Sequence, residues 1–154
     1  MSQTNIRQKR QEVEFVLEQQ GTNVQTTNDP EGGGQHRSSL GNGEWLRLNG
    51  PFNLVSIDSL TFRIASNNTT VPAGNPLVGV EVRLDAPDGP LLTTVTLTST
   101  GANTNWESQT FAVVDPGGAN HLYLVFRSIP GGATGGNLFR LNWVAFDGQG
   151  ISLP

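Results

Sequence analysis

The amino-acid sequence predicts a soluble all-β domain on three grounds. Gly and Pro supply 28 of the 154 residues, well above the usual share of about 12%, so the chain is rich in turns. Only 14% of residues are charged, too few for a coiled coil or a helical bundle, and no apolar run approaches the roughly 20 residues that cross a bilayer. Short runs of β-branched and aromatic residues recur between Gly, Pro, Asn and Asp clusters, at the spacing of a sandwich or barrel. The length suits one ordinary domain.

Taken in order, residues 1–11 are polar and aperiodic and read as a tail or linker, the domain proper spans 12–147, and 148–154 form a C-terminal tail. Strands are expected at Glu12 to Leu17, Asn23 to Thr27, Gln35 to Ser39, Glu44 to Leu48, Val55 to Ala65, Val78 to Asp85, Leu91 to Thr98, Trp106 to Val114, His121 to Arg127 and Leu138 to Phe146. Alternation is clearest where Val78, Val80, Val82 and Leu84 share one face and Glu81 and Arg83 take the other. Ala86-Pro87-Asp88-Gly89-Pro90 follows, a turn in which Pro fixes φ and Gly tolerates positive φ, so the flanking strands should form a hairpin. Asp115 to Gly118 is a second such turn. Longer loops at Asn67 to Leu77 and Pro130 to Asn137 are the usual seats of binding on a rigid sandwich.

Several functions are excluded or disfavoured. With no cysteine there are no disulfides, zinc-thiolate sites or cysteine nucleophiles, and two histidines, His36 and His121, cannot build a multi-histidine metal site. Arg7, Lys9 and Arg10 lie in the first ten residues, which leaves 6 basic against 13 acidic side chains for the rest. A body near −7 is a poor tracker of a phosphate backbone, so no nucleic-acid partner is expected, and no membrane partner either. Val13 to Leu17, interrupted by Glu14, is too short for the apolar core of a signal peptide. No pair of carboxylates is singled out as a glycosidase couple, and no Gly-x-Ser-x-Gly elbow is present. The Gly-rich stretches lack the Lys of a phosphate loop. The chain is not expected to be an enzyme. His36 reads as a polar loop or edge residue and His121 as a strand-start residue.

Glu12 and Glu14 are one residue apart, which on a strand sends both carboxylates to one face about 7 Å apart. Solvated charges on an edge strand are one reading; a calcium ion, which takes six to eight oxygen ligands in flexible geometry, is the other.

The motifs Glu12-Val13-Glu14-Phe15, Gly32-Gly33-Gly34-Gln35, Asn42-Gly43-Glu44-Trp45 and Asn137-Leu138-Phe139-Arg140-Leu141-Asn142-Trp143-Val144-Ala145-Phe146 occur in an order that resembles the family 6 carbohydrate-binding modules. The resemblance covers Glu12 to Phe146, and Val82 to Asp85, Trp106 and Leu122 to Phe126 fall where such modules carry comparable strands. It implies a β-sandwich jelly roll whose first and last strands meet at a structural calcium held by Glu12, Glu14 and Asn142, with a main-chain carbonyl near Glu31 to Gly33 completing the shell. Asn142 supplies a neutral amide oxygen where many relatives have a carboxylate.

The same resemblance implies binding of a plant or algal polysaccharide by a non-catalytic module of a larger extracellular or cell-surface protein. In such modules two aromatic rings sandwich a sugar at the loop end of the sandwich, because the apolar face of a pyranose stacks while its hydroxyls seek polar partners. Here the two platform positions are Ser39 and Asn103, neither of them a ring, whereas Asn137 matches the asparagine that bonds the sugar. Trp45, Trp106, Trp143 and Tyr123 all fall in strands and read as core or sheet surface. Sugar binding is therefore expected to be weak or altered, resting on Asn137, Asn103, His36 and Arg37 beside Ser39, or moved to the concave face of a sheet. The alternative is a calcium-stabilised structural or docking sandwich that has lost sugar binding.

Overall fold

A computed structural model describes residues 10–12, 18–31, 34–38, 40–48, 52–53, 57–66, 71–114 and 119–148. Glu14 and Ser39 lie outside these residues, as does the side chain of Glu12. The strands are β1 (Arg10–Glu12), β2 (Glu18–Gln20), β3 (Asn23–Thr26), β4 (Gln35–Ser38), β5 (Trp45–Arg47), β6 (Phe52–Asn53), β7 (Ile57–Ser66), β8 (Pro76–Leu84), β9 (Leu91–Thr98), β10 (Trp106–Ala112), β11 (Ala119–Asn120), β12 (Leu122–Arg127) and β13 (Phe139–Gly148). All pairings are antiparallel. One sheet runs β10-β7-β13-β4-β3 with β1 also on β13, a second runs β2-β5-β12-β8-β9, and β6 and β11 form a short ribbon.

The chain is all-β, two antiparallel sheets packed as a sandwich. Inner-face residues alternate along β12 as a period of two demands. Phe62 and Ile64 of β7 and Leu141, Val144 and Phe146 of β13 meet Val80 and Val82 of β8 and Leu122, Leu124 and Phe126 of β12 in one core. Phe126 and Phe139 pack edge-on across it, ring centroids 5.4 Å apart. The outward partners on β8, Glu81 and Arg83, are only half-buried.

The hairpin expected between β8 and β9 forms, with Val80 opposite Val95 and Val82 opposite Thr93. Its turn works differently from the sequence reading. The positive φ falls on Asp85 (68°), whose carboxylate accepts the His121 N–H at 3.0 Å. Gly89 serves by its bareness instead, since a Cβ there would fall 2.0 Å from the Leu84 carbonyl oxygen. The expected N-terminal tail also gives up Arg10 and Gln11, which join β1 opposite Ala145 and Val144.

The feature that matters for function lies on β13. Leu141 pairs with Arg37 of β4, Trp143 pairs with Glu12 of β1, and the register against β7 shifts between Leu141 and Trp143. Asn142 is thus the bulge residue at which β13 exchanges one edge partner for another. A bulge re-aims a side chain, and here it does so between the first and last strands.

Candidate functional site

At one end of the sandwich the segments around residues 40 and 137 are tied together by the Leu138 N–H, which donates to the Leu40 carbonyl at 3.0 Å. Gly41 lies against Gly136, whose carbonyl oxygen would be 3.2 Å from a Cβ at Gly41. The loop after β9 reaches the same strand end, where Arg140 Nη1 faces the Asn103 carbonyl oxygen at 3.5 Å. Asn137 and Asn103 are both half-buried. Glu44, not singled out as a binding group by sequence, also points here: its Oε1 accepts the Gly41 N–H at 2.8 Å. A Cβ at Gly21 (φ +82°) would fall 1.1 Å from Glu44 Oε2, so only glycine leaves room for the carboxylate.

Behind this end, the β3–β4 connection folds over the outer face of the six-stranded sheet. Asp29 is the centre of that contact, its side chain fully buried. It accepts from Arg63 Nε at 3.0 Å and Nη2 at 2.9 Å, from the Glu31 N–H at 3.0 Å and from Asn142 Nδ2 at 2.8 Å. Burial alone would raise its pKa; the bonds from Arg63, the Glu31 N–H and Asn142 outweigh burial and hold the carboxyl below its usual value. The neighbouring Asn28 accepts from Trp106 Nε1 at 2.8 Å. Sequence reading missed Asp29 and Arg63, because nothing in their spacing announces a pair 34 residues apart.

His36 and Arg37 are inside the protein. The expected loop or edge position of His36 is corrected: β4 is flanked by β3 and β13, and the His36 ring is 1% exposed. It tilts against Trp106 with centroids 5.2 Å apart, and among the described residues neither of its nitrogens has a hydrogen-bond partner. Burial pushes its pKa down to about 4, helped by the charge of Arg140 and opposed by Asp29. Ser38, two residues on and on the same face, also keeps a buried hydroxyl without a partner among the described residues. Arg37 is buried as well, its Nη1 donating to Thr22 Oγ1 at 3.2 Å. As placed, neither side chain presents a surface to a sugar.

The outer face of the five-stranded sheet carries the other aromatic pair. Trp45 and Tyr123 meet at 5.5 Å and 59°, with the Arg47 guanidinium 6.0 Å from the Tyr123 ring centroid. Arg83 and Arg127 both reach Glu81, at 3.0 and 3.3 Å. Tyr123 is itself 7% exposed, and Trp106 and Trp143 on the opposite sheet are 9% and 7% exposed. All four rings lie on sheet faces. His121 precedes β12, its ring nitrogens each 3.3 Å from Arg47 Nη2.

Among the described residues no group of three His, Cys, Asp or Glu side chains could hold a metal ion. Asn142 nevertheless suits a hard cation. It is fully buried, its Nδ2 is committed to Asp29, so its amide oxygen is turned the other way, and Glu12 stands opposite the next residue, Trp143.

Comparison with known proteins agrees with this architecture. A family profile described as carbohydrate binding module (family 6) matches residues 14–148. The arabinoxylan arabinofuranohydrolase of Paenibacillus polymyxa is 30% identical over 135 residues, 86% of this chain but 20% of that protein. The chain thus spans about a fifth of the curated relatives it matches. A family 6 module from Clostridium cellulolyticum, solved in complex with xylose, superposes with a TM-score of 0.73 at 27% identity, covering 90% of this chain and 95% of that one. A β-1,3-glucan-binding family 6 module from Bacillus halodurans gives 0.72 at 26% identity, covering 94% and 98%. With the motifs in order, the sandwich formed and the family profile matched over most of its length, the chain belongs to family 6 of the carbohydrate-binding modules.

Proposed function

We propose that this chain is the non-catalytic polysaccharide-binding module of a larger extracellular protein, and that it binds weakly at the loop end of the sandwich. The observation that carries this reading is the gathering of three segments there: the Leu138–Leu40 backbone bond and the Arg140–Asn103 contact bring the stretches bearing Asn137 and Asn103 to one place. Asn137 supplies the amide for a sugar hydroxyl, with Ser39 beside it in sequence to Leu40. Relatives solved with xylose or described as β-1,3-glucan binding suggest a plant or algal β-glycan. Without a stacking ring, affinity should lie between millimolar and tens of micromolar, about 4 to 7 kcal/mol. Calorimetry against xylan, β-glucans, cellulose and agar tests this. No heat and no retention with any of them would remove the reading.

The alternative, a structural or docking sandwich that has given up sugar binding, is favoured by one observation: Trp106, Trp143 and Tyr123 are all less than 10% exposed. Loss of all glycan binding with calcium-dependent stability retained would select it.

Calcium, in this reading, would be held by Glu12, Glu14, Asn142 and a main-chain carbonyl near Glu31 to Gly33. It would neutralise the paired carboxylates and staple the first strand to the last. An ion present at a hundred times its dissociation constant stabilises the folded state by about 2.7 kcal/mol. Chelation should therefore lower the melting midpoint of calcium-loaded protein by several degrees, and Glu14→Gln should blunt the effect. An unchanged midpoint after chelation would remove calcium from the account.

A further inference from the structure

Arg140 is the second residue of the last strand, at the loop end, half-buried and three residues after Asn137. Among the described residues it forms no ion pair. Its Nε is buried without a hydrogen-bond partner, and its one directed contact is the long 3.5 Å approach of Nη1 to the Asn103 carbonyl. Three other arginines show the contrast: Arg63 is clamped on Asp29, and Arg83 and Arg127 share Glu81. A guanidinium taken partly out of water without a carboxylate is a costly arrangement. Its five donors in a planar fork match a carboxylate from outside the chain.

Among the described residues no carboxylate pairs with Arg140: Glu44, at the same end of the sandwich, accepts the Gly41 N–H. Continuing the Leu141–Arg37 register by one residue sets Ser38 across from Arg140, and Ser38 and its neighbour on that face, His36, are buried, neutral groups whose polar side-chain atoms also lack partners among the described residues. Burial weakens the charged form of Arg140, and no described carboxylate offsets it. Asp29 spends its oxygens on Arg63, Asn142 and the Glu31 N–H.

We propose that the loop-end site takes a polysaccharide bearing uronic acid, the sugar carboxylate pairing with Arg140 beside Asn103 while Asn137 bonds a hydroxyl of a neighbouring sugar. Asn137 precedes β13 and Arg140 lies within it, so the two side chains are assigned to separate units of the polysaccharide rather than to one ring. The proposal rests on the carbohydrate-binding reading above and narrows its substrate class. The net charge of the whole protein, −4, opposes a polyanion at long range, but at physiological salt such repulsion is screened beyond about 8 Å. A direct fork-to-carboxylate contact is screened much less.

The test is calorimetry of the calcium-loaded protein at physiological salt against glucuronoxylan, the same polymer with its carboxyl groups reduced to alcohols, and neutral arabinoxylan. A charge-assisted bond predicts that native glucuronoxylan binds ten-fold or more tightly than its reduced form. Arg140→Gln should bring that ratio to one and Arg140→Lys should keep part of it. Should either variant fail to fold, the native-to-reduced comparison on the parent protein decides alone. Equal or weaker binding of the native polymer overturns the proposal while leaving carbohydrate binding intact; binding to none of the three polymers, nor to β-glucan or cellulose, overturns both.

Discussion

Two polar clusters lie side by side on the outer face of the six-stranded sheet, and they are built on opposite plans. Around Asp29, donors converge on a carboxylate: two nitrogens of Arg63, the Asn142 amide N–H and the Glu31 N–H meet one fully buried side chain. Around His36, the imidazole nitrogens, the Ser38 hydroxyl and Arg140 Nε are buried and find no hydrogen-bond partner among the described residues. Buried polar groups are normally paired, so the first cluster reads as scaffold. The second reads as a place where stability has been given up, and it is the one that adjoins the loop-end site through Arg140 and Asn103.

The largest effect should come from breaking the satisfied cluster. Asp29→Ala strands Arg63 in a site where its side chain is 9% exposed, and removing one partner of a buried pair costs about 3 to 5 kcal/mol. Glu31, 3.5 Å from Arg63 Nη1 and half in solvent, offers partial replacement, which favours the lower end of that range. Asp29→Ala with Arg63→Met should recover much of the loss, because the orphaned charge goes too. Denaturant midpoints of the two variants measure this, and a single-variant loss below about 1 kcal/mol would show that Asp29 is not the keystone of the fold-over loop.

The unsatisfied cluster should reveal itself in acid. His36 titrates at about 4 when folded against an ordinary value of 6.5, so the unfolded chain binds its proton first. Stability from this group is fully present above pH 6.5 and is lost as the pH falls from there through 4, by about 3 kcal/mol in all. The groups facing the ring set the sign: burial and Arg140 disfavour the imidazolium, and Asp29 favours it too weakly to win. Asp29, with a lowered carboxyl pKa, loses its own contribution only at lower pH, below its usual value of 3.8. Urea unfolding at pH 7, 5.5 and 4.5 should show the decline above pH 4, and His36→Phe should flatten it. A parent protein equally stable at all three values would mean that the imidazole finds a proton acceptor in solution.

The difference between the clusters also measures what the sequence made legible. Alternation placed Val78, Val80 and Val82 in the core and Glu81 and Arg83 outside it, because a period of two is local. The hairpin between β8 and β9 was legible for the same reason. The family motifs brought out Asn137 and Asn142, whose positions follow from strand order. Asp29, Arg63 and Arg140 were not legible as a set, since their roles depend on a loop folding across four strands and on which charges that loop reaches. His36 was misplaced by composition: a histidine beside Arg37 and Ser38 suggests a wet edge, but β4 is covered on both sides by β3 and β13. The switch of partners at Asn142 is likewise tertiary, for no residue pattern states that β13 pairs with β4 before the bulge and β1 after it.

The smallest expected effect is the one closest to function, and it separates the loop end from the scaffold beneath. Asn137 is half-buried at the foot of β13, next to Leu138, whose N–H holds the Leu40 carbonyl. An amide bonded to one sugar hydroxyl contributes around 1 kcal/mol, so Asn137→Ala should weaken glycan binding about five-fold. Its effect on unfolding should be far smaller than that of Asp29→Ala, because no buried charge is left behind. The complementary change is Ser39→Tyr with Asn103→Trp, which sets rings on the two platform positions and should tighten binding through stacking on the sugar faces. Asn103 bonds Arg140 through its main-chain carbonyl, so replacing its side chain leaves that contact available. If Asn137→Ala binds as the parent does and the double substitution gains nothing, the loop end is not where sugar sits, and the Trp45–Tyr123 face of the five-stranded sheet becomes the better candidate.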